Sequence, residues 1–137
     1  GLTGSISPFY YNQLETLEKL VSEHGQQIGV IIMEPVRNML PDEGFLEGVR
    51  DIANRINAVL IFDEITSGFR LNVGAAHMNY DVSPDIAVFG KALGNGYPIS
   101  AIIGVRNVMD AAQDTFYFQT FYHRGGRNIR PNLPQLP

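Results

Sequence analysis

Two charged side chains directly follow apolar runs in this sequence, and both are of types that can take part in covalent chemistry. Lys91 follows the run "DIAVFG" and precedes Ala92 and Leu93. A partly desolvated lysine amine has a lowered pKa and is a nucleophile, whereas a lysine at a strand end can also keep its head in water. The sequence around Lys91 leaves both interpretations open. The other lysine, Lys19, has glutamates around it, and we expect a solvated surface residue there.

Asp63 is the second candidate, because it stands with Glu64 at the end of the apolar run "AVLIFDE". A carboxylate in this position can pair with a buried cation or accept backbone hydrogen bonds, which would be a structural role. It can also be a metal ligand, a general base, or the counter-ion of a cationic cofactor. The local pattern does not choose between these roles.

Several other kinds of active site lack the residues that they need. Ala92 stands where a hydroxyl residue should follow the lysine, and no glycine stands five residues before Gly90, so the phosphate loop of nucleoside triphosphatases is missing. The stretch "GNGYPI" leads into a predicted strand, so its glycines indicate a tight turn and not a dinucleotide site. The histidines lack ligand spacing, cysteine is absent, and no serine lies in a nucleophile elbow.

The elements that would position Lys91 and Asp63 alternate between helix and strand. Amphipathic spacing predicts helices over residues 12–24 and 43–57, and Asn12 is expected to begin the first helix through a capping box. Buried strands are predicted at 28–35, with both faces covered, and at 58–64, and two more in "DIAVFGKA" and "ISAIIGV". This order is typical of an α/β sheet. Because open parallel sheets bind ligands at the carboxyl ends of their strands, an acid and a lysine on neighbouring strands would converge there.

The composition is that of one ordinary globular domain: 137 residues, of which 45% are hydrophobic and 18% are charged. The net charge of -4 gives no reason to expect nucleic acid or an anionic membrane as a partner. No apolar run reaches the roughly 20 residues that cross a bilayer, so we expect a soluble, cytoplasmic protein. Residues 123–137 are basic and rich in glycine, proline and asparagine, which predicts an irregular tail.

A lysine amine and a buried acid on adjacent strands remain, and they are the minimum equipment for pyridoxal phosphate chemistry. The lysine would form a Schiff base with the cofactor aldehyde. The acid would pair with the protonated pyridine nitrogen, so that the ring could accept electrons from the substrate. The competing interpretation is a non-catalytic α/β fragment or binding module in which Asp63 and Lys91 form only a structural ion pair.

Five segments of the chain, spanning roughly residues 8 to 122, resemble the class III pyridoxal-phosphate aminotransferases, and especially their glutamate-1-semialdehyde 2,1-aminomutase-like branch. In order they are "MEPV", "GFLEGVRDIA", "AVLIFDEITSGFR", "SPDIAVFGKALGNGYPISAIIG" and "TFYFQTFY". The resemblance implies an α/β fold class: part of the large three-layer α/β/α domain of the fold type I, aspartate aminotransferase-like, pyridoxal-phosphate-dependent transferases.

The resemblance also implies roles for individual residues. Lys91 matches the family's Schiff-base lysine, which moves the proton between substrate and cofactor, and Asp63 matches the partner of the pyridine nitrogen. Ile65 falls where the family has an aliphatic residue packed on the ring face. Thr66 stands where many relatives have a glutamine near the ring hydroxyl. Thr120 matches a threonine that reaches the cofactor phosphate of the neighbouring subunit, which implies a homodimer.

The family's chains are much longer than this one, and their phosphate loop and ring-stacking aromatic residue would lie before Gly1. We therefore expect residues 1–122 to be a partial cofactor-binding domain of a parent protein, and residues 123–137 to be foreign or out of frame. The parent would move an amino group between small-molecule amino and keto or aldehyde substrates. The isolated 137 residues are expected to bind pyridoxal phosphate weakly, with little or no turnover.

Overall fold

A four-stranded sheet forms the centre of the fold in the computed structural model, which describes residues 4–113. Thr120, the segment "TFYFQTFY" and the tail 123–137 lie outside the described residues. Along the chain the elements are α1 (Leu14–His24), β1 (Val30–Met33), α2 (Phe45–Ile56), β2 (Val59–Asp63), β3 (Ile86–Phe89), β4 (Ala101–Gly104) and α3 (Arg106–Gln113). Short 3-10 helices cover Gly25–Gln27, Ala76–Tyr80 and Lys91–Gly94.

The strands follow the order β1-β2-β3-β4 in the sheet. β1, β2 and β3 run parallel, and β4 is antiparallel to β3. Asp63, the last residue of β2, lies beside Val88 of β3. The predicted α/β order is therefore confirmed, and the carboxyl ends of β2 and β3 lie next to each other at one edge of the sheet.

Helix α2 supplies six of the twelve buried residues in the main core cluster, because its apolar residues recur at helical spacing and share one stripe. Burying one large side chain of this kind contributes about 1.5 to 3 kcal/mol. The core also contains Leu17 of α1, Ile31 of β1, and Leu60 and Phe62 of β2. The buried residues of α2 are Phe45, Leu46, Val49, Ile52, Ala53 and Ile56.

The predicted capping box at Asn12 is wrong. Helix α1 begins at Leu14, and its N-cap residue, Gln13, makes no side-chain capping hydrogen bond. Asn12 adopts a φ of 59°, and its side chain binds the loop before α2, donating to the Leu40 carbonyl at 3.1 Å and accepting from the Asp42 amide at 3.0 Å. A polar side chain can serve only one such set of partners, and here a distant loop provides them.

The predicted burial of both faces of β1 is also wrong for the described residues. Ile31 faces helices α1 and α2 and is 3% exposed, whereas its neighbours Val30 and Ile32 are 52% and 59% exposed. Side chains alternate between the two faces of a strand, so the described helices α1 and α2 cover one face of β1 and leave the other open. Within residues 4–113, no helix is both long enough and apolar enough to cross a membrane.

Candidate active site

Lys91 lies two residues beyond the end of β3, at the carboxyl edge of the sheet. Gly90 before it is extended, and Lys91 itself has a φ of 43°, in the left-handed region that non-glycine residues rarely occupy. The Lys91 ammonium donates a hydrogen bond from Nζ to Thr66 Oγ1 at 2.9 Å. The side chain is exposed, so of the two interpretations that the sequence left open, the described residues favour the lysine with its head in water.

Asp63 lies at the same edge, as the last residue of β2. It is half-buried, and its Oδ1 accepts a hydrogen bond from the Ile65 amide at 3.0 Å. Asp63 Oδ2 accepts no hydrogen bond from any residue in the described part of the chain. One carboxylate oxygen is therefore fixed by the turn, and the other is available to a donor.

Ile65 and Thr66 lie in the turn that follows Asp63, and both contact the segment Gly90–Lys91. A Cβ atom placed on Gly90 would lie 3.4 Å from Ile65 Cγ2, so Ile65 packs directly against the backbone before Lys91. Thr66 reaches the lysine through its hydroxyl. The fold thus brings together four of the five residues that the sequence singled out, and the fifth, Thr120, lies outside the described residues.

Asp63 and Lys91 do not pair with each other in the described part of the chain, where the ion pairs involve other residues. The lysine binds Thr66 instead. The competing interpretation of a purely structural Asp63–Lys91 ion pair therefore lacks the contact on which it depends.

Glu64 is the residue that sequence reasoning missed. It is 0% exposed, whereas Asp63 is only half-buried, so the buried acid at this strand end is Glu64. Burial by itself raises the pKa of a carboxyl group, but hydrogen bonds from His77 and from the Ala76 and His77 amides outweigh it and hold the pKa of Glu64 below its ordinary value of 4.5. The doubled acid in "AVLIFDE" was the available signal, because alternation along a strand turns the two carboxylates to opposite faces.

These residues fit pyridoxal phosphate by the chemistry of their donors and acceptors. The site has one exposed primary amine, one carboxylate with a free oxygen, and an aliphatic side chain next to both. A cationic ring nitrogen needs such a carboxylate, and an aldehyde needs such an amine. Among the described residues, no group of three or more His, Cys, Asp or Glu side chains could hold a metal ion.

Comparison with known proteins identifies the family of the chain. The family described as aminotransferase class-III matches residues 9–123. A glutamate-1-semialdehyde 2,1-aminomutase of Desulforamulus reducens is 47% identical over 103 residues, which cover 72% of this chain and 24% of that protein. A 3-aminobutyryl-CoA aminotransferase of Cloacimonas acidaminovorans is 38% identical over 124 residues, 85% of this chain and 30% of that protein. The chain therefore spans less than a third of each of these relatives.

A solved structure extends the comparison to the fold. The FumI protein of Sphingopyxis sp. MTA144, in its PLP internal aldimine form, superposes with a TM-score of 0.78 at 28% identity, covering 82% of this chain and 29% of that one. The prediction of a fold type I α/β domain is confirmed by this match. The resemblance to the class III enzymes and to their aminomutase-like branch is confirmed as well, because the family match and the aminomutase relative agree with it. The chain belongs to the class-III aminotransferase family.

Proposed function

We propose that the parent protein of this chain is a pyridoxal-phosphate-dependent aminotransferase or aminomutase and that Lys91 and Asp63 are its catalytic residues. One observation carries the proposal: the adjacent parallel strands β2 and β3 bring the Asp63 carboxylate and the Lys91 amine to the same edge of the sheet. Ligand sites of open α/β sheets lie at this edge.

Each residue has a distinct task in this proposal. Pyridoxal phosphate, when bound, supplies a ring that accepts electrons from the carbon of the substrate that carries the amino group. Lys91 would hold the cofactor aldehyde through Nζ, and the same nitrogen would carry a proton to and from the substrate. Asp63 would accept a hydrogen bond from the protonated ring nitrogen through Oδ2, and Ile65 would supply an apolar contact that excludes water.

Thr66 has a role that follows from its contact with the lysine. Its hydroxyl holds Lys91 Nζ at 2.9 Å and orients an amine that is otherwise exposed on a flexible stem. A hydroxyl can also donate a hydrogen bond, so Thr66 would be able to donate to the ring hydroxyl of the cofactor.

Covalent trapping tests the proposal. The parent protein is incubated with pyridoxal phosphate, reduced with borohydride and digested, and the labelled peptides are mapped. We expect the label on Lys91, its loss in Lys91→Ala, and its retention in the matched control Lys19→Ala. A non-catalytic α/β module, the competing class, would show no preference for Lys91, and equal labelling of both lysines would reject the enzyme assignment.

The substrate class and the reaction type are proposals as well. Small-molecule amino and keto or aldehyde compounds are the proposed substrates, and the relatives named above include both an aminomutase and an aminotransferase. Isotope tracing distinguishes the two reactions: an aminomutase returns the amino group to the same carbon skeleton, whereas an aminotransferase passes it to a second substrate.

A homodimeric, cytoplasmic parent protein completes the proposal. The homodimer rests on the resemblance of Thr120 to a threonine that contacts the neighbouring subunit's cofactor phosphate. Light scattering coupled to gel filtration should give twice the mass of one chain, and a monomer that still takes the label on Lys91 would refute the dimer alone. Fractionation of the source cells tests the location.

A further inference from the structure

A buried carboxylate stands next to Asp63 and has no role in the proposed chemistry. Glu64 is 0% exposed, yet its side chain has several partners. Its Oε2 accepts a hydrogen bond from the Ala76 amide, and its Oε1 accepts from the His77 amide at 3.1 Å and from the His77 ring through Nδ1. Ala76 and His77 begin the 3-10 helix that covers Ala76–Tyr80.

The backbone of Glu64 is fixed just as closely. Its amide donates to the Val88 carbonyl of β3 at 2.8 Å, and its carbonyl accepts from the Gly68 amide at 2.8 Å. Glu64 thus connects the end of β2 with three other segments: β3, the turn that follows β2, and the start of the 3-10 helix. Asp63 precedes this junction directly, and Ile65 follows it.

His77 is held from two sides. Its side chain is 13% exposed, Glu64 binds its Nδ1, and its ring lies 5.7 Å, between centroids, from the ring of the fully buried Phe62. Phe62 is the residue of β2 just before Asp63. The imidazole therefore contacts the residues on both sides of Asp63 while Asp63 itself stays accessible at the edge.

This arrangement limits the movement of the proposed cofactor-contacting turn. Asp63, Ile65 and Thr66 lie where β2 ends, and all three side chains are only half-buried, so a rotation of this turn would not by itself uncover a buried side chain among them. Glu64 prevents the rotation, since turning it would leave a buried carboxylate and the amides of Ala76 and His77 without partners.

We propose that the Glu64–His77 pair is a positioning device that sets the orientation of Asp63, Ile65 and Thr66 towards the cofactor. The inference rests on the proposed function, because it concerns the same site. Neither residue touches the reacting atoms. Their effect passes through the turn that they hold, so it is measured as a change in cofactor affinity and in the absorbance of the bound cofactor.

Three variants of the parent protein separate the contributions of the pair. Glu64→Gln keeps the shape but removes the charge. His77→Phe keeps a ring on Phe62 but removes the donor to Glu64, and His77→Gln replaces the ring but restores a donor. Glu23→Gln and His24→Phe are matched controls, because both side chains are exposed on α1.

Titration with pyridoxal phosphate, followed by absorbance, gives the main readout. We expect Glu64→Gln and His77→Phe to raise the dissociation constant about tenfold, the equivalent of one charge-assisted hydrogen bond. We expect His77→Gln to recover most of that loss, and the absorbance band of the bound cofactor to shift in the first two variants only. Should Glu64→Gln fail to fold, the two His77 variants decide the question.

Hydrogen exchange without cofactor separates the two proposals. In the unsubstituted protein the Ala76 and His77 amides should be protected, and His77→Phe should expose them to faster exchange. If His77→Phe binds the cofactor as tightly as His24→Phe, with an unchanged band, the pair is merely structural, even though Lys91 still takes the label. If Lys91 takes no label while the amides remain protected, the proposed function fails and the geometry of the pair stands.

Discussion

Lys91, the proposed catalytic lysine, has an unfavourable backbone conformation. A φ of 43° costs a non-glycine residue about 1 kcal/mol or more, and such residues concentrate at functional sites. The surrounding structure maintains the conformation: Gly90 is extended, Lys91 begins a 3-10 helix, and Nζ binds Thr66. The lysine is thus held in position by contacts within the chain itself.

Two substitutions at Lys91 separate strain from chemistry. Lys91→Gly relieves the left-handed strain, whereas Lys91→Ala retains it. In urea unfolding we expect the glycine variant to be more stable than the alanine variant by about 1 kcal/mol. Both variants should lose covalent labelling by pyridoxal phosphate. An alanine variant at least as stable as the glycine variant would show that the backbone there carries no strain.

The stability of the fold should depend on pH through Glu64. Its pKa in the folded chain lies below the ordinary value of 4.5, because hydrogen bonds from His77 and two amides outweigh the effect of burial. A carboxyl group whose pKa is lowered by folding stabilises the fold. This stabilisation is complete above the pKa of the unfolded state, and it is lost as the pH falls through the pKa of the folded state.

A pH series of unfolding experiments checks this sign. The unsubstituted protein should lose stability relative to Glu64→Gln as the pH falls below 4.5, while the difference between the two stays constant near neutral pH. Glu23→Gln, on the exposed side of α1, serves as the control. If the unsubstituted protein instead gained stability relative to Glu64→Gln as the pH falls, the assigned hydrogen bonds would be contradicted.

The sequence predicts the elements of this fold well where a local period decides them. Helix α2 was predicted at 43–57 and lies at Phe45–Ile56, and β2 was predicted at 58–64 and lies at Val59–Asp63. The sequence did not predict interactions between distant residues. Asn12 binds a loop about thirty residues away, and Glu64 binds a 3-10 helix twelve residues further along the chain. No periodic pattern encodes such partners, so capping and burial were assigned to the wrong residues.

Tyr11 joins the segment before α1 to the end of β1. Its hydroxyl donates to the Pro35 carbonyl at 2.6 Å, and its ring lies 5.0 Å, between centroids, from that of Phe45 on α2. Burial, with smaller contributions from Tyr80 and Asp42, raises the pKa of Tyr11 from 10.0 to about 12. The contact therefore belongs to the neutral hydroxyl.

Tyr11→Phe keeps the ring and removes the hydrogen bond. We expect a loss of about 1 kcal/mol in the free energy of unfolding at neutral pH. Because the folded-state pKa is raised, this advantage is complete below the ordinary value of 10.0 and disappears as the pH rises through about 12. Unfolding curves of both proteins at neutral and alkaline pH test this, and a constant difference would refute it.

Within residues 4–113, the sheet has one well-packed face and one open face. Leu60 and Phe62 of β2 are fully buried against the helices, whereas Val30 and Ile32 of β1 and Ile102 of β4, which point to the other face, are more than half exposed. A groove of about 1030 Å³ also runs along β1, and neither Asp63 nor Lys91 lines it. Exposed apolar strands on this scale favour association with other surfaces.

Neighbouring isoleucines on β1 test this asymmetry. Ile31 is 3% exposed and Ile32 is 59% exposed, although both stand on the same strand. Ile31→Thr should lower the free energy of unfolding by about 2 kcal/mol, because it removes buried methyl groups and buries a hydroxyl. Ile32→Thr should change the free energy by less than about 0.5 kcal/mol, as exposed positions do.

The substitution at Ile32, which should barely change the free energy of unfolding, should be the one that changes self-association. Light scattering of the 137-residue chain should rise with concentration, and Ile32→Thr should reduce that rise because it removes apolar surface from the open face. Ile31→Thr, measured where it is still folded, should associate as the unsubstituted chain does, since Ile31 already lies under the helices. Equal association in all three proteins would mean that the open face of β1 takes no part in it, and Ile102 of β4, on the same face of the sheet, would then be the residue to substitute.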